Sequence, residues 1–218
     1  MNKLITCDNS DFGLAPYVWK CTGSGDDARA EATMPGAYFK TIIKDMKTVG
    51  LAIDGTANKG CYPKSMPVVE YSIDDGPFNA LQLIQEDSVY TLSFAESLDF
   101  SKTHKLEVYF RAANLGENRW TSSKAHLRIV GISVDSNGSI LPYPKHSKRA
   151  IGFGDSITEG VGVDNEFTSW EILSPNNARG SWLPFVCSAL DCEYGQLGSG
   201  GQGLVKVLDL PVLAETWD

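Results

Sequence analysis

Short apolar segments separated by turn residues occupy the first two thirds of the sequence, and they restrict the possible folds more than any other feature. The segment Val68 to Leu83 contains two such runs joined by Asp74-Asp75-Gly76-Pro77, which is typical of a β-hairpin. Two earlier strands are indicated near Thr41–Ile43 and Val49–Ile53, and Asn137-Gly138 is a second tight-turn dipeptide. Because this part shows no clear amphipathic helix, the pattern predicts a β-sandwich or jelly roll.

The pattern changes after residue 141. The stretch "LPYPKHSKR" carries two prolines and four basic residues, counting the histidine, and is typical of a linker. A buried strand is then indicated at 149–154, a helix at 181–190 and a second strand at 191–198. Strand, helix and strand in this order predict the opening of a parallel α/β sheet. We therefore predict two domains, a jelly-roll β-sandwich at 1–145 and the first part of an α/β domain at 146–218.

The predicted helix has a stripe of apolar residues at helical spacing, which we expect to face the core: Trp182, Phe185, Val186, Ala189 and Leu190. Ser181 is a candidate N-cap, and Pro184 is tolerated because it falls in the first turn. The segment between the two predicted strands, Ile157 to Arg179, is long and polar. Loops of this kind at the carboxyl ends of parallel strands are where α/β proteins place their functional sites.

Charge and composition exclude several classes of partner. The 218 residues are 42% hydrophobic, enough for a core, and their formal net charge of -8 disfavours nucleic acid. No apolar run has the roughly 20 residues that a membrane helix needs. The N-terminus lacks the apolar core of a secretory signal, so the protein stays in the cell unless a leader has been removed.

Cysteine usage argues against two further classes of site. The number of cysteines is odd and no CxxC pair occurs, so zinc-binding and thioredoxin-like sites are disfavoured. We expect reduced thiols that are buried or idle at all five positions: Cys7, Cys21, Cys61, Cys187 and Cys192.

The segment "IGFGDSITEG", Ile151 to Gly160, places a serine directly after the first predicted α/β strand. A serine hydroxyl attacks only when a base takes its proton and N–H donors stabilise the resulting oxyanion. Gly154 lets the backbone bend before Ser156, and a helical turn starting there would present free N–H groups. Asp155 is expected to fix this turn by accepting hydrogen bonds from backbone N–H groups. Taken alone, the tripeptide Gly-Asp-Ser is more often a helix cap than a catalytic serine, and the segment is not a GxSxG elbow.

Two stretches together, "GDSITEG" and "YGQLGSGGQG", resemble the SGNH or GDSL-like hydrolase superfamily over about residues 149–205. The resemblance implies that Ser156 is the nucleophile and that the N–H groups of Ser156 and Gly201, or alternatively Gly200, bind the oxyanion. It also implies a flavodoxin-like α/β/α domain. The layout resembles the two-domain acetyl xylan esterases of carbohydrate esterase family two. The implied substrate is an acetylated oligo- or polysaccharide, and no metal or organic cofactor is implied.

Two signatures of that superfamily are absent from the sequence. Neither Gly-x-Asn-Asp nor Asp-x-x-His occurs, and the three histidines, His104, His126 and His146, all precede the serine. We expect His104 and His126 to have polar surface or strand-end roles, and His146 has no obvious acid partner. Only about 70 residues follow the linker, fewer than an independent α/β domain needs. We therefore expect a fragment with little activity alone, whose base lies beyond Asp218.

Other side chains near the serine have weaker signals. Trp170 is the better ligand candidate among the nearby tryptophans, whereas Trp182 is expected in the core. We expect Glu159, Asp164 and Glu166 to lie in a solvated loop.

Trp120, beside Arg119, is a candidate for an exposed loop of the sandwich. Two alternatives to an esterase stay open on the sequence: a glycan-binding sandwich that carries a non-catalytic hydrolase remnant, and a protein-interaction domain using the acidic surface.

Overall fold

The computed structural model describes residues 2–115, 117–121, 123–169 and 172–203, and the chain is built mainly of β-strands with few helices. The described residues form these strands: β1 (Asn2–Thr6), β2 (Gly13–Leu14), β3 (Lys20–Thr22), β4 (Arg29–Ala32), β5 (Tyr38–Lys44), β6 (Val49–Asp54), β7 (Val68–Ile73), β8 (Asn79–Gln82), β9 (Val89–Ala95), β10 (Thr103–Ala112), β11 (Leu127–Asp135), β12 (Ser139–Leu141), β13 (Lys148–Gly154) and β14 (Cys192–Gly198). They also form two α-helices, α1 (Ser156–Glu159) and α2 (Trp182–Ala189), and short 3₁₀ turns at Gly25–Asp27, Gly55–Asn58, Pro63–Ser65 and Ala178–Gly180.

Strands β1 to β12 form two six-stranded antiparallel sheets. The first has the order β3-β4-β11-β6-β9, with β1 also paired to β11; the second has the order β12-β5-β10-β7-β8, with β2 paired to β5. Buried residues of both sheets belong to one apolar cluster, which includes Leu51 and Ile129 from the first sheet and Phe39 and Phe110 from the second. We call residues 2–141 the two-sheet region.

The predicted hairpin is confirmed, and the second predicted turn has a different role from a hairpin turn. β7 pairs with β8, and Asp74 and Asp75 between them have φ of 54° and 58°, the left-handed values of the turns that suit the twist of paired strands. At the other turn, Gly138 N–H donates to the carbonyl of Asp135 at 2.8 Å. The strands on either side of it, β11 and β12, lie in different sheets, so this turn carries the chain from one sheet to the other.

β13 and β14 form a separate parallel pair, with Lys148 opposite Cys192 and Gly154 opposite Gly198. With α2 between them in the chain they form the predicted strand–helix–strand unit, which we call the strand–helix–strand region (residues 148–198). Tyr194 of β14 belongs to the same apolar cluster as the two-sheet region. The division into domains at residue 145 stays a prediction.

The start of α2 follows the prediction, but its predicted buried face is wrong. Ser181 occupies the N-cap position and Pro184 lies in the first turn. The predicted stripe is exposed, with exposed fractions of 43% for Trp182, 67% for Phe185, 43% for Val186 and 57% for Leu190. The helix instead buries Leu183 and Cys187, which join the apolar cluster shared with the sheets. No helix in the described ranges is long and apolar enough to cross a membrane.

All five cysteines are free thiols, as predicted from the sequence. Four are buried and Cys21 is exposed. Burial raises the pKa of Cys7 to about 11 and that of Cys187 to about 12, so these two thiols stay protonated at neutral pH.

Candidate active site

Ser156 lies at the turn where β13 ends and α1 begins. β13 ends at Gly154, Asp155 is the N-cap, and Ser156 is the first residue of the helical turn, where backbone N–H groups have no partner within the helix. The Asp155 carboxylate accepts a hydrogen bond from the N–H of Ile157 at 3.0 Å, the geometry expected of a residue that supports the turn. Ser156 is partly exposed, so a ligand can approach it.

Two glycines allow the strand ends to touch this turn. A Cβ atom on Gly154 would lie 2.1 Å from Oγ1 of Thr158, and one on Gly198 would lie 2.5 Å from the backbone nitrogen of Glu159. Neither glycine has a positive φ, so what they supply is close approach and not an unusual backbone conformation. The sequence predicted that Gly154 lets the backbone bend. In the structure a glycine is needed at this position because a larger residue would collide with the side chain of Thr158.

The glycine turn after β14 lies beside the serine. A Cβ atom on Gly200 would be 3.9 Å from Cβ of Ser156, and the neighbouring Gly201 has a φ of +78°, in the left-handed region that favours glycine. The structure therefore brings Gly200 close to Ser156, and Gly201 is the next residue of the same turn. The N–H of Gly200 donates to Oε2 of Glu159 at 2.9 Å. The amide that was predicted as the alternative oxyanion donor therefore already has an acceptor within the chain.

Glu159 is buried, so the prediction that it lies in a solvated loop is wrong. It is 2% exposed and forms an ion pair with Arg119, which is 1% exposed and follows β10 in the two-sheet region. The Arg119 Nη2 atom donates to Glu159 Oε1, and it also donates to the carbonyl oxygens of Ala113 at 3.2 Å and Asn114 at 2.6 Å. The charge of Arg119 is thus stabilised by the Glu159 carboxylate and by two backbone carbonyl oxygens.

Glu159 connects three segments of the chain, two through its carboxylate and one through its backbone. One oxygen contacts Arg119 of the two-sheet region, the other contacts the glycine turn, and the backbone N–H of Glu159 donates to the carbonyl of Asp155 at 2.9 Å. Burial raises the pKa of this carboxyl, while Arg119 and the Gly200 N–H act in the opposite direction. The ion-pair partner lies 40 positions earlier in the sequence, so no local pattern could have identified the pair.

Gln196 also supports the turn at Ser156, although the sequence did not single it out. Its side chain is fully buried, and its Nε2 atom donates to the carbonyl oxygens of Thr158 at 2.6 Å and Ala178 at 3.1 Å and to the Ser181 hydroxyl at 3.2 Å. The Ser181 hydroxyl therefore contacts Gln196 and does not cap α2 through a side-chain hydrogen bond. One amide group on β14 thus connects α1 to the segment that leads into α2.

The tryptophans differ from their predicted positions. Trp182 was expected in the core, but it is exposed and its indole N–H donates to Oγ1 of Thr158 at 3.0 Å. Trp120 is partly buried, and its indole N–H donates to Oε1 of Gln202 at 3.2 Å, next to the glycine turn. The predicted ligand candidate Trp170 lies outside the described residues.

The two other acids of the predicted solvated loop are exposed. Asp164 is nevertheless ion-paired with Arg111 and accepts a hydrogen bond from the side-chain amide of Asn177 at 3.0 Å. Glu166 is exposed, as expected. Among the described residues no group of three or more histidine, cysteine, aspartate or glutamate side chains is arranged to hold a metal ion.

Two histidines have structural roles in the two-sheet region. His104 is buried at the start of β10, with Nδ1 2.6 Å from Oδ2 of Asp74 and Nε2 3.0 Å from the carbonyl of Asp99. Its imidazole therefore connects the hairpin turn to the segment before β10. His126 has its Nδ1 3.4 Å from Oε1 of Glu31.

His146 has an acid partner that the sequence did not suggest, because its Nδ1 lies 2.7 Å from Oδ1 of Asp191. It precedes the amino end of β13, whereas Ser156 follows the carboxyl end. At roughly 3.3 Å per strand residue, the length of β13 separates the two by about 20 Å. In the described part of the chain, no hydrogen bond or ion pair joins any of the three imidazoles to Ser156.

No protein-family model matches the chain. It is 29% identical over 99 residues to an acetylxylan esterase / glucomannan deacetylase of Cellvibrio japonicus strain Ueda107, which covers 44% of this chain and 26% of that protein. Its fold is similar to that of a family two carbohydrate esterase from Cellvibrio japonicus, with a TM-score of 0.73, 19% identity and coverage of 100% of this chain and 57% of the other.

A similar match is found with an acetyl xylan esterase, Est2A, from the rumen bacterium Butyrivibrio proteoclasticus. The TM-score is 0.68 at 18% identity, over 94% of this chain and 50% of the other. The chain thus spans about a quarter of the curated relative and little more than half of the structural relatives. The chain resembles the acetyl xylan esterases of carbohydrate esterase family two, and the resemblance predicted from the sequence is confirmed.

Proposed function

We propose that the protein is a serine-type carbohydrate esterase that removes acetyl groups from xylan or a related glycan. In this proposal the two-sheet region is a jelly roll, and the strand–helix–strand region is the opening of an SGNH hydrolase domain. The observation that carries the proposal is the position of Ser156. It is partly exposed at the carboxyl end of a parallel strand, and Gly200 of the glycine turn lies beside it.

The proposed reaction uses the serine oxygen as nucleophile. Oγ of Ser156 attacks the acetyl carbonyl while a base takes its proton, and the backbone N–H groups of Ser156 and Gly201 donate to the oxyanion. The sugar hydroxyl leaves with the proton, and the acetyl group remains on the serine. Water, deprotonated by the same base, then releases acetate and restores Ser156.

The base of this reaction is not one of the histidines in the sequence. His146 is separated from Ser156 by the length of β13, and His104 and His126 are fixed by contacts in the two-sheet region. The proposed mechanism therefore requires a base from further polypeptide. The related structures are longer than this chain, which covers 57% and 50% of them.

Acyl transfer to Ser156 can be tested without the missing base. The chain is incubated with p-nitrophenyl acetate with and without imidazole, which supplies a base from solution, and peptide mass spectrometry locates the acetyl groups. We expect imidazole-dependent acetylation at Ser156 that disappears in Ser156→Ala. In the absence of imidazole, acetyl-ester hydrolysis by the chain and by Ser156→Ala should be equal and near background.

The exposed Ser147, before β13, is the internal control for this experiment. Acetylation at Ser156 no greater than at Ser147 would contradict the proposal, because the amides around Ser156 would then give no advantage. A large Ser156-dependent rate without imidazole would contradict the requirement for an external base.

A glycan-binding role without catalysis is the second candidate, and one cleft favours it. Tyr17, Trp19 and Trp120 line an open cleft of about 470 Å³ on the two-sheet region. Aromatic faces beside polar groups suit sugar rings. Retention of the chain on acetylated and deacetylated xylan, with Trp120→Ala as variant, tests this candidate. Equal retention on both xylans that is lost in Trp120→Ala, without serine acetylation, would favour binding alone.

A further inference from the structure

A second pocket lies at the opposite end of β13 from Ser156. It is a cavity of about 100 Å³ formed where residues 143–149 pack against β2 and β5, and its charged lining comes from Lys40, Lys145, His146, Arg149 and Glu193. Nothing in the proposed esterase reaction uses these residues. Three cationic side chains and one imidazole thus line one small cavity in a chain whose formal net charge is -8.

The cations of this pocket are incompletely neutralised. Within the described residues no carboxylate lies within 4 Å of the side-chain nitrogens of Lys145 or Arg149, and both residues are exposed. Lys40 is partly buried; its ammonium lies 3.5 Å from Glu107 and over the ring of Tyr143, 5.5 Å from the ring centre. The pocket therefore presents positive charge that an anion could neutralise.

The acids that face this pocket already have partners. Glu193 is 8% exposed and accepts hydrogen bonds from the Tyr38 hydroxyl and from the backbone N–H of His146 at 3.3 Å. Asp191 contacts the His146 ring, and Glu107 lies between Lys40 and Lys105. None of these three carboxylates forms an ion pair with Arg149 within 4 Å, so its guanidinium can form paired hydrogen bonds with a ligand.

A larger cleft adjoins the basic pocket and shares Lys40, His146 and Glu193 with it. Its volume is about 300 Å³, and its aromatic lining includes Tyr109, Phe78 and Phe185. Phe185 is 67% exposed, so its ring is available to a ligand. The guanidinium of Arg179 lies over the ring of Phe78, 3.8 Å from its centre, and Tyr109 is buried. The two cavities together therefore offer a positive end and the exposed ring of Phe185, which suit a ring that carries one acidic group.

We propose that this basic pocket binds the carboxylate of an acidic sugar, a uronic acid residue, whose ring lies against the aromatic lining of the adjoining cleft. Arg149 and Lys145 hold the carboxylate, because the planar guanidinium matches its two oxygens. The proposal is independent of acyl transfer, since the pocket and Ser156 lie at opposite ends of β13.

The test is an NMR titration of the ¹⁵N-labelled chain with methyl β-D-glucuronide, with methyl β-D-glucoside and inorganic phosphate as the neutral and non-sugar comparisons. We expect saturable shifts of the amides of Gly13, Leu14 and Glu193 with the glucuronide and none with the glucoside. Arg149→Gln should weaken binding by about tenfold or more, because a charge-assisted contact is lost.

Lys148→Gln is the matched control. Lys148 neighbours Arg149 on β13, is absent from the pocket lining, and its ammonium contacts the carbonyl of Leu190 at 3.1 Å. This variant and Ser156→Ala should bind the glucuronide as tightly as the parent chain. Equal binding of glucuronide and glucoside, phosphate binding as tight as glucuronide binding, or equal weakening by Lys148→Gln would each overturn the proposal. Failure of Ser156 acetylation would leave it intact.

Discussion

The interiors of the two-sheet region and of the strand–helix–strand region differ in how many of their buried residues are polar. In the first, the interior is apolar, and side chains such as Leu51, Phe110 and Ile129 are fully buried. In the second, polar groups such as Glu159 and Gln196 occupy a larger share of the buried positions, beside apolar residues such as Leu183. The same region leaves four large apolar side chains of α2 exposed: Trp182, Phe185, Val186 and Leu190.

This difference indicates what each kind of contact provides. Burial of apolar area stabilises the two sheets without requiring one particular orientation of each group, at about 1.5–3 kcal/mol for each large side chain. Buried hydrogen bonds and ion pairs are directional, and they fix a backbone turn in one geometry. The proposed oxyanion site depends on amides that point at one atom, which requires the second kind of contact. Such contacts surround Ser156, at Glu159 and Gln196.

The largest effect is expected from Phe110→Ala. This change removes a fully buried ring from the two-sheet core and should lower the free energy of unfolding by about 4 kcal/mol, measured by urea denaturation. Phe185→Ala, on the exposed face of α2, should cost less than about 1 kcal/mol. Equal losses of unfolding free energy in Phe110→Ala and Phe185→Ala would contradict the difference between the two regions, because they would show that the outer face of α2 is covered.

Glu159→Ala should lower the free energy of unfolding by about 3 kcal/mol, because it leaves Arg119 charged, buried and without its acid. Denaturation of the double variant Arg119→Met/Glu159→Leu should recover most of this loss, since no buried charge remains. Glu166→Ala, an exposed acid of the following loop, should change stability by less than about 0.5 kcal/mol. A double variant less stable than Glu159→Ala would contradict the assignment of the loss to an unpaired charge.

Gln196→Met should lower the free energy of unfolding by about 2 kcal/mol, since the side chain keeps its length but no longer donates to the carbonyls of Thr158 and Ala178. The Ala178 carbonyl keeps the Ser181 N–H as a donor, so most of the loss comes from Thr158 and from the buried amide. Gln82→Met is the matched change in the two-sheet region. Gln82 makes the same kind of contact, to the carbonyls of Lys64 and Met66, but it is exposed and water can replace it. If thermal unfolding shows equal losses for both variants, burial does not explain the importance of Gln196.

The smallest effect is expected from the contact between Glu31 and His126, which makes the free energy of unfolding depend on pH. The contact with His126, whose Nδ1 lies 3.4 Å from Oε1 of Glu31, lowers the pKa of Glu31 from 4.5 to about 2 together with Arg128, and the same contact raises the pKa of His126 above 6.5. The Glu31 contribution is full above pH 4.5 and is lost as the pH falls towards 2. The His126 contribution is full below pH 6.5 and is lost as the pH rises through the raised pKa.

The pair should therefore stabilise the chain by about 1 kcal/mol between pH 4.5 and 6.5. In His126→Gln the free energy of unfolding should fall less between pH 6.5 and 8.5 than in the parent chain. His104, whose pKa is raised by Asp74 and Asp99 against the effect of burial, adds a fall of the same sign in both proteins. Identical pH profiles would show that His126 gains no charge stabilisation in the folded chain.

The sequence by itself determined the features that depend on neighbouring residues. Strand positions, the Asp74-Asp75 hairpin turn and the start of α2 at Ser181 follow from periodicity and from backbone preferences within a few residues. The same holds for the turn at Ser156, because Asp155 caps it from the adjacent position.

The tertiary structure decided every feature that depends on a partner from a distant part of the chain. The helical spacing of α2 is compatible with either face being buried, and only its packing selected Leu183 and Cys187 over Phe185 and Leu190. The sequence predicts a solvated acid at Glu159, because its partner in the ion pair, Arg119, comes from another region of the fold. A short segment defines its own backbone conformation, but the free energy of burying a charge or a ring depends on what the rest of the fold places against it.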